Sequence, residues 1–131
     1  MFDKYKKPLF AFLTALVIFE LFSFAAVKYF DPIINQNYFF GLYGTSFWPT
    51  LLGFLILIGF YLYLRKIGLN LVVLFTVILA AAASNLIERI IYGGVVDYIS
   101  IFKFNVFNLA DIVIVVSMVI IFIYAIIKKK I

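Results

Sequence analysis

Four long apolar runs separated by short polar breaks dominate the sequence, at about 8–29, 47–64, 69–92 and 106–127. A membrane-spanning helix needs roughly 20 mostly apolar residues, so each run predicts one such helix. Pro49 falls in the first turn of the second, where a missing N–H costs little, and Thr45 or Ser46 is placed to cap it. Arg65-Lys66-Ile67-Gly68 reads as a tight break between the second and third. The basic start Lys4-Tyr5-Lys6-Lys7 also resembles the head of a cleavable signal peptide. Its apolar run of about 20 residues exceeds the ~7–15 of such a segment, which favours a retained helix. Two longer loops remain. The first, 30–46, holds Asp31, Pro32, Asn35, Gln36, Asn37, Gly41 and Gly44; the second, 93–105, holds Asp97 among many apolar residues. With no internal repeat, no Pro/Ser-rich linker and no low-complexity tract beyond the terminal lysines, a single domain over 1–131 is expected.

Composition places this pattern in a membrane. Of 131 residues, 67% are hydrophobic and 13% charged, against about 45–50% and about 25% in soluble domains. A water-soluble globule of this length could not bury so much apolar surface. The formal net charge of +5 comes from 11 Lys+Arg and 6 Asp+Glu, and its distribution reads as topology rather than a nucleic-acid footprint. Lys4, Lys6, Lys7, Arg65, Lys66, Lys128, Lys129 and Lys130 sit at helix ends sharing one side; Lys28, Arg89 and Lys103 lie toward the other. The positive-inside rule then makes both termini cytoplasmic. The expected fold class is an all-α membrane protein with four transmembrane helices. Short extracytoplasmic loops join them, the first with room for a little β structure.

The same counts remove chemistries. Cysteine and histidine are absent, which excludes disulfides, thiol nucleophiles, Ser-His-Asp triads and cysteine or histidine metal sites. Six acids remain: Asp3, Glu20, Asp31, Glu88, Asp97 and Asp111. Ionisable residues inside spans cost ~2.5–3.5 kcal/mol on insertion scales, so each is a functional candidate. Glu20 lies inside the first run, and Asn85, Glu88 and Arg89 at the outer end of the third. Their i, i+3, i+4 spacing puts the last three on one helix face. Asn108 and Asp111 open the fourth run, again i and i+3, so the amide can reach the carboxyl. Asp111 is about five residues in, roughly 7 Å below the outer surface.

Gly93-Gly94 permits a sharp turn after the third helix. Val95-Val96-Asp97-Tyr98-Ile99 is too apolar to stand in water and is expected to pack onto the bundle mouth, carrying Asp97 toward Asp111. Two carboxyls in a low-dielectric site cannot both ionise comfortably, so one keeps a proton. Such a pair can activate water while protonating a carbonyl or leaving amine. Three readings of these residues stand open at this point: a catalytic pair, an ion or proton pathway, and a polar knot that fixes helix packing, with Asp111 paired to Lys103 or Arg89.

At these residues the sequence resembles the lipoprotein signal peptidase (signal peptidase II) family, four-helix bacterial membrane aspartic proteases. The family carries Asn-x-x-Asp-Arg, Val-Val-Asp-Phe and Phe-Asn-x-Ala-Asp. Here the runs are Asn85-Leu86-Ile87-Glu88-Arg89, Val95-Val96-Asp97-Tyr98 and Phe107-Asn108-Leu109-Ala110-Asp111, in the same order. An earlier, weaker match aligns Asn35-Gln36-Asn37-Tyr38-Phe39-Phe40-Gly41 with Asn-x-Gly-Ala-Ala-Phe-Gly. The resemblance implies that Asp97 and Asp111 are the catalytic dyad, supported or fed with substrate by Asn35, Asn85, Glu88, Arg89 and Asn108, with no cofactor or metal. Glu88 replaces the family's Asp. The Asp-Gln-x-x-Lys stretch of helix one is absent, with Glu20 at the Asp position, Leu21 and Phe24 at the Gln and Lys positions, and Lys28 one turn on. The first outer loop is shorter than usual.

The implied function is an intramembrane endopeptidase that removes signal peptides from prolipoproteins just before a diacylglyceryl-modified cysteine. Its partners would be those lipid-modified prolipoproteins and membrane lipids, with no nucleic acid. It would act as a monomer in the bacterial cytoplasmic (inner) membrane, its site facing the extracytoplasmic side. The aromatic loop 38–43 is expected to contact headgroups or cover the site. Three rivals stand beside it. A Ser–Lys protease would use Ser23 and Lys28, but five residues put them about 140° apart on a helix. An ion or proton conductor would use Glu20, Glu88 and Asp111, which cluster at the outer mouth. An inactive homologue would serve as a membrane scaffold.

Overall fold

The computed structural model describes residues 3–36, 47–66, 71–101 and 105–130. Four helices dominate them: α1 (Asp3–Tyr29), α2 (Phe47–Lys66), α3 (Val72–Tyr92) and α4 (Leu109–Lys130). Lys6–Tyr29, Val72–Tyr92 and Leu109–Lys128 are long and apolar enough to cross a membrane, while the apolar part of α2, Thr50–Leu64, is shorter. The four-helix membrane architecture expected from the apolar runs is present. Its boundaries differ in informative ways. Pro8, expected at the start of the first helix, lies inside α1, because the basic residues before it are helical as well. The fourth helix starts at Leu109 rather than near 106, since Asn105–Phe107 is a strand. Thr45, Ser46, Ile67, Gly68, Lys103 and the aromatic loop 38–43 lie outside the described residues.

The helix α3 is the centre, packing against α1, α2 and α4. Small residues explain how. Ala80, Ala81, Ala83 and Ser84 are buried along it, and short side chains let neighbouring backbones approach closely in lipid. Ala80 and Ala81 meet Phe19 of α1 and Ala110 of α4 in one cluster. A second cluster near the start of α3 joins Phe75 and Ile78 to Leu64 of α2 and Ile121 of α4. There the Phe75 ring meets Phe60 edge-on at 5.5 Å. The outer faces carry large exposed apolar side chains such as Phe10, Leu55, Val119 and Phe122. In water such faces would be a liability; against acyl chains they are the natural solvent contact.

Four short strands cap the end of the bundle where α3 stops and α4 starts. β1 (Ile33–Asn35) pairs antiparallel with β2 (Val95–Asp97), matching Ile33 with Asp97 and Asn35 with Val95. β3 (Ile99–Ile101) pairs antiparallel with β4 (Asn105–Phe107). The β structure expected in the first loop therefore continues into the second, which supplies three of the four strands. Two adjacent glycines make this possible for different reasons. Gly93 caps α3 with φ +74°, the left-handed region that side chains disfavour. Gly94 lets the two loops touch: a Cβ there would lie 2.7 Å from the Asn35 carbonyl oxygen. All three residues of β2 are buried. The apolar Val95–Val96 pair thus folds down onto the bundle, as its composition demanded.

Candidate active site

The fold brings the polar residues of α1, α3, β1, β2 and α4 together beneath this cap. Asp97, on buried β2, is only 2% exposed. Its Oδ2 accepts a 2.9 Å hydrogen bond from the Asn35 amide on β1. Its Oδ1 is buried without a hydrogen-bond partner among the described residues. Asp111 lies close enough for its charge to be felt at Asp97. Burial is the main cause that pushes the Asp97 carboxyl up to about 6 from its usual 3.8. The Asp111 charge adds to this, while Asn35 and the Arg89 guanidinium favour ionisation and hold it lower.

Asp111 is fixed from two directions. Its Oδ1 accepts a 2.9 Å bond from the Asn85 amide of α3. Its backbone N–H donates to Asn108 Oδ1 at 2.8 Å, so Asn108 acts as the N-cap of α4. The Asn108 amide in turn donates to Asn85 Oδ1 at 2.8 Å. The two asparagines form one relay, and the sequence expectation is corrected in detail: Asn108 holds the Asp111 backbone and Asn85 holds its carboxyl. Since α4 begins at Leu109, Asp111 is its third residue rather than about its fifth. It is therefore shallower than the first estimate, at about 3–5 Å below the helix start. Arg89, half-buried at the end of α3, acts electrostatically on both aspartates.

Asn85 and Glu88, placed on one face by spacing, point to different neighbours. Glu88 is 1% exposed and turns to α1 and β2. It accepts the Ser23 hydroxyl and, through Oε2, the Val96 N–H at 2.7 Å. Glu20 of α1 accepts the Ser84 hydroxyl of α3 at 2.8 Å. Helices α1 and α3 therefore exchange carboxyl–hydroxyl pairs in both directions. Ser23 had been weighed only as a nucleophile beside Lys28. Instead its hydroxyl is committed to Glu88, and the Lys28 ammonium lies 5.2 Å from the Tyr29 ring centroid. Tyr98 was also missed as a site residue. Its hydroxyl accepts the N–H of Leu109 at 3.2 Å, and burial pushes its pKa up. A tyrosine beside a motif aspartate was the only available signal.

The sequence model of the family described as Signal peptidase (SPase) II matches residues 1–127. The chain belongs to the signal peptidase II family. Its relatives carry the name lipoprotein signal peptidase. That of Campylobacter jejuni subsp. doylei is 46% identical over 59 residues, 43% of this chain and 38% of that protein. That of Thermodesulfovibrio yellowstonii is 28% identical over 146 aligned positions, 95% of this chain and 97% of that protein. The chain thus spans well under two thirds of the Campylobacter relative and nearly all of the Thermodesulfovibrio one. Two solved bacterial membrane enzymes share the family member's fold. One matches with a TM-score of 0.76 at 20% identity, covering 95% of this chain and 89% of that one. The other has a TM-score of 0.73 at 18% identity, covering 91% and 92%.

Proposed function

We propose that this chain is an aspartic endopeptidase that removes signal peptides from diacylglyceryl-modified prolipoproteins, cutting before the lipidated cysteine. Family membership supports the substrate class. The observation that carries the chemistry is a pair of electrostatically coupled aspartates, one with a buried carboxyl oxygen that no described residue engages. A buried carboxylate acceptor left open beside a second aspartate is where a reacting group fits.

The mechanism needs only the dyad and water. The pair shares one proton. The ionised member takes a proton from water as its oxygen attacks the scissile carbonyl carbon, and the other gives its proton to the carbonyl oxygen. The tetrahedral intermediate collapses when one carboxyl returns a proton to the leaving nitrogen, the other takes a proton from a hydroxyl of the intermediate, and the C–N bond breaks, leaving one proton on the pair. Asn35 holds Asp97, Asn85 and Asn108 hold Asp111, and Arg89 limits the build-up of negative charge. Glu88 clamps β2 to the helices that carry them.

The substrate's lipid and signal helix both reside in the bilayer, so a site at the mouth of the bundle meets the scissile bond there. Lys6, Lys7, Lys66 and Lys128 are exposed at helix ends remote from the dyad. By the positive-inside rule those ends are cytoplasmic, and the dyad faces the extracytoplasmic side of the cytoplasmic membrane. The chain works as a monomer and a single domain. The test is to give the purified protein a lipidated prolipoprotein and the same precursor without lipid. Cleavage of the lipidated form alone, with the new N-terminus at the modified cysteine, is expected. No cleavage of either would favour a membrane scaffold, and equal cleavage would overturn the substrate assignment.

A further inference from the structure

Tyr98 joins the strand that carries Asp97 to the helix that carries Asp111. It follows Asp97 directly, and its N–H donates to the Phe107 carbonyl at 3.0 Å, fastening the end of β2 to the end of β4. Its hydroxyl accepts the N–H of Leu109, the first residue of α4, two residues before Asp111. That N–H is one of the donors that a helix start leaves without an intrahelical partner.

The Tyr98 hydroxyl thus ties the first residue of α4 to the residue that follows Asp97.

We infer that Tyr98 is a positioning residue whose hydroxyl, bonded to the start of α4, sets the separation of Asp97 and Asp111. The inference rests on the dyad reading. Removing the hydroxyl frees the start of α4 to shift against β2 while the ring still fills its place. Geometry at the reacting atoms changes, and contacts that bind the substrate's lipid and signal helix do not.

The experiment compares wild type and Tyr98→Phe on a lipidated prolipoprotein. Tyr98→Phe is expected to lower kcat about tenfold with KM within about twofold, since sub-ångström misplacement of catalytic groups acts on the transition state. Unchanged kcat would overturn the inference. A second readout does not depend on turnover. In protein labelled with 13C at the aspartate carboxyls, Tyr98→Phe is expected to shift the titration of Asp111 and leave exposed Asp31 unmoved. An unaltered Asp111 titration would overturn the positioning role. Failure of wild type to cleave would instead count against the function, and the carboxyl titration would still judge Tyr98.

Discussion

Asp97 shows how burial shifts an ordinary carboxyl toward its protonated form. Folding lifts its carboxyl from 3.8 to about 6. The protonated form is therefore favoured in the folded chain, and the linkage has a definite sign. Its contribution to stability is fully present below about pH 4 and is lost as pH rises through about 6. Asp97→Asn cannot ionise, so it should melt no lower than wild type above pH 6 while losing turnover. A catalytic carboxyl gives that opposition; a structural ion pair would give a lower melting point. The Asn35 amide supplies a second test. Its hydrogen bond favours the ionised form of Asp97, so Asn35→Ala should raise the pKa. On the proposed dyad mechanism the rate falls at high pH where the shared proton is lost, and Asn35→Ala is expected to move that limb of the kcat/KM profile upward. A limb moved downward would show that Asn35 acts elsewhere.

At the scale of elements, the cap and the bundle depend on a few contacts that spacing alone did not reveal. The i, i+3, i+4 pattern of Asn85, Glu88 and Arg89 correctly put them on one side of α3. It could not show that α1 and α4 divide them, because neighbouring helices are set by tertiary packing. The apolar run Val95–Ile99 announced its burial through composition, yet its strand pairing with Ile33–Asn35 depends on residues about 60 positions away. Glu88 illustrates the consequence. Glu88→Ala would leave the Ser23 hydroxyl and Val96 N–H buried without their partner, at about 1–3 kcal/mol for each group. Thermal melting in detergent should drop accordingly, with the folded fraction retaining turnover within about tenfold. An unchanged melt with lost turnover would place Glu88 in the chemistry instead. Gly94→Ala tests the approach of the two loops. Its Cβ would meet the Asn35 backbone oxygen at 2.7 Å, so β1 must move, at a cost of ~1–3 kcal/mol. Both the melting point and cleavage are expected to fall.

Across the whole molecule, scarcity of charge is what made the sequence readable. In a chain with 13% charged residues, most polar side chains that fall beside apolar runs must either meet a partner or lie at an end. That logic located the helices, the basic ends and the two motif aspartates. It was blind to the partners of hydroxyls: Ser84 and Tyr98 cost little to place in a helix or strand and went unmarked, and Ser23 drew notice only as a nucleophile beside Lys28, not as the partner of Glu88. It also misplaced the start of α4 by about three residues, because Val106 and Phe107 suit a strand and a spanning helix equally well.

The central claim is that Asp97 and Asp111 together hydrolyse the peptide bond. The most direct test is cleavage of a purified lipidated prolipoprotein by wild type, Asp97→Asn and Asp111→Asn, each shown by melting to be folded in detergent. Loss of the cleaved product by about a thousandfold or more in both variants is the predicted result. Normal cleavage by either variant would contradict the account.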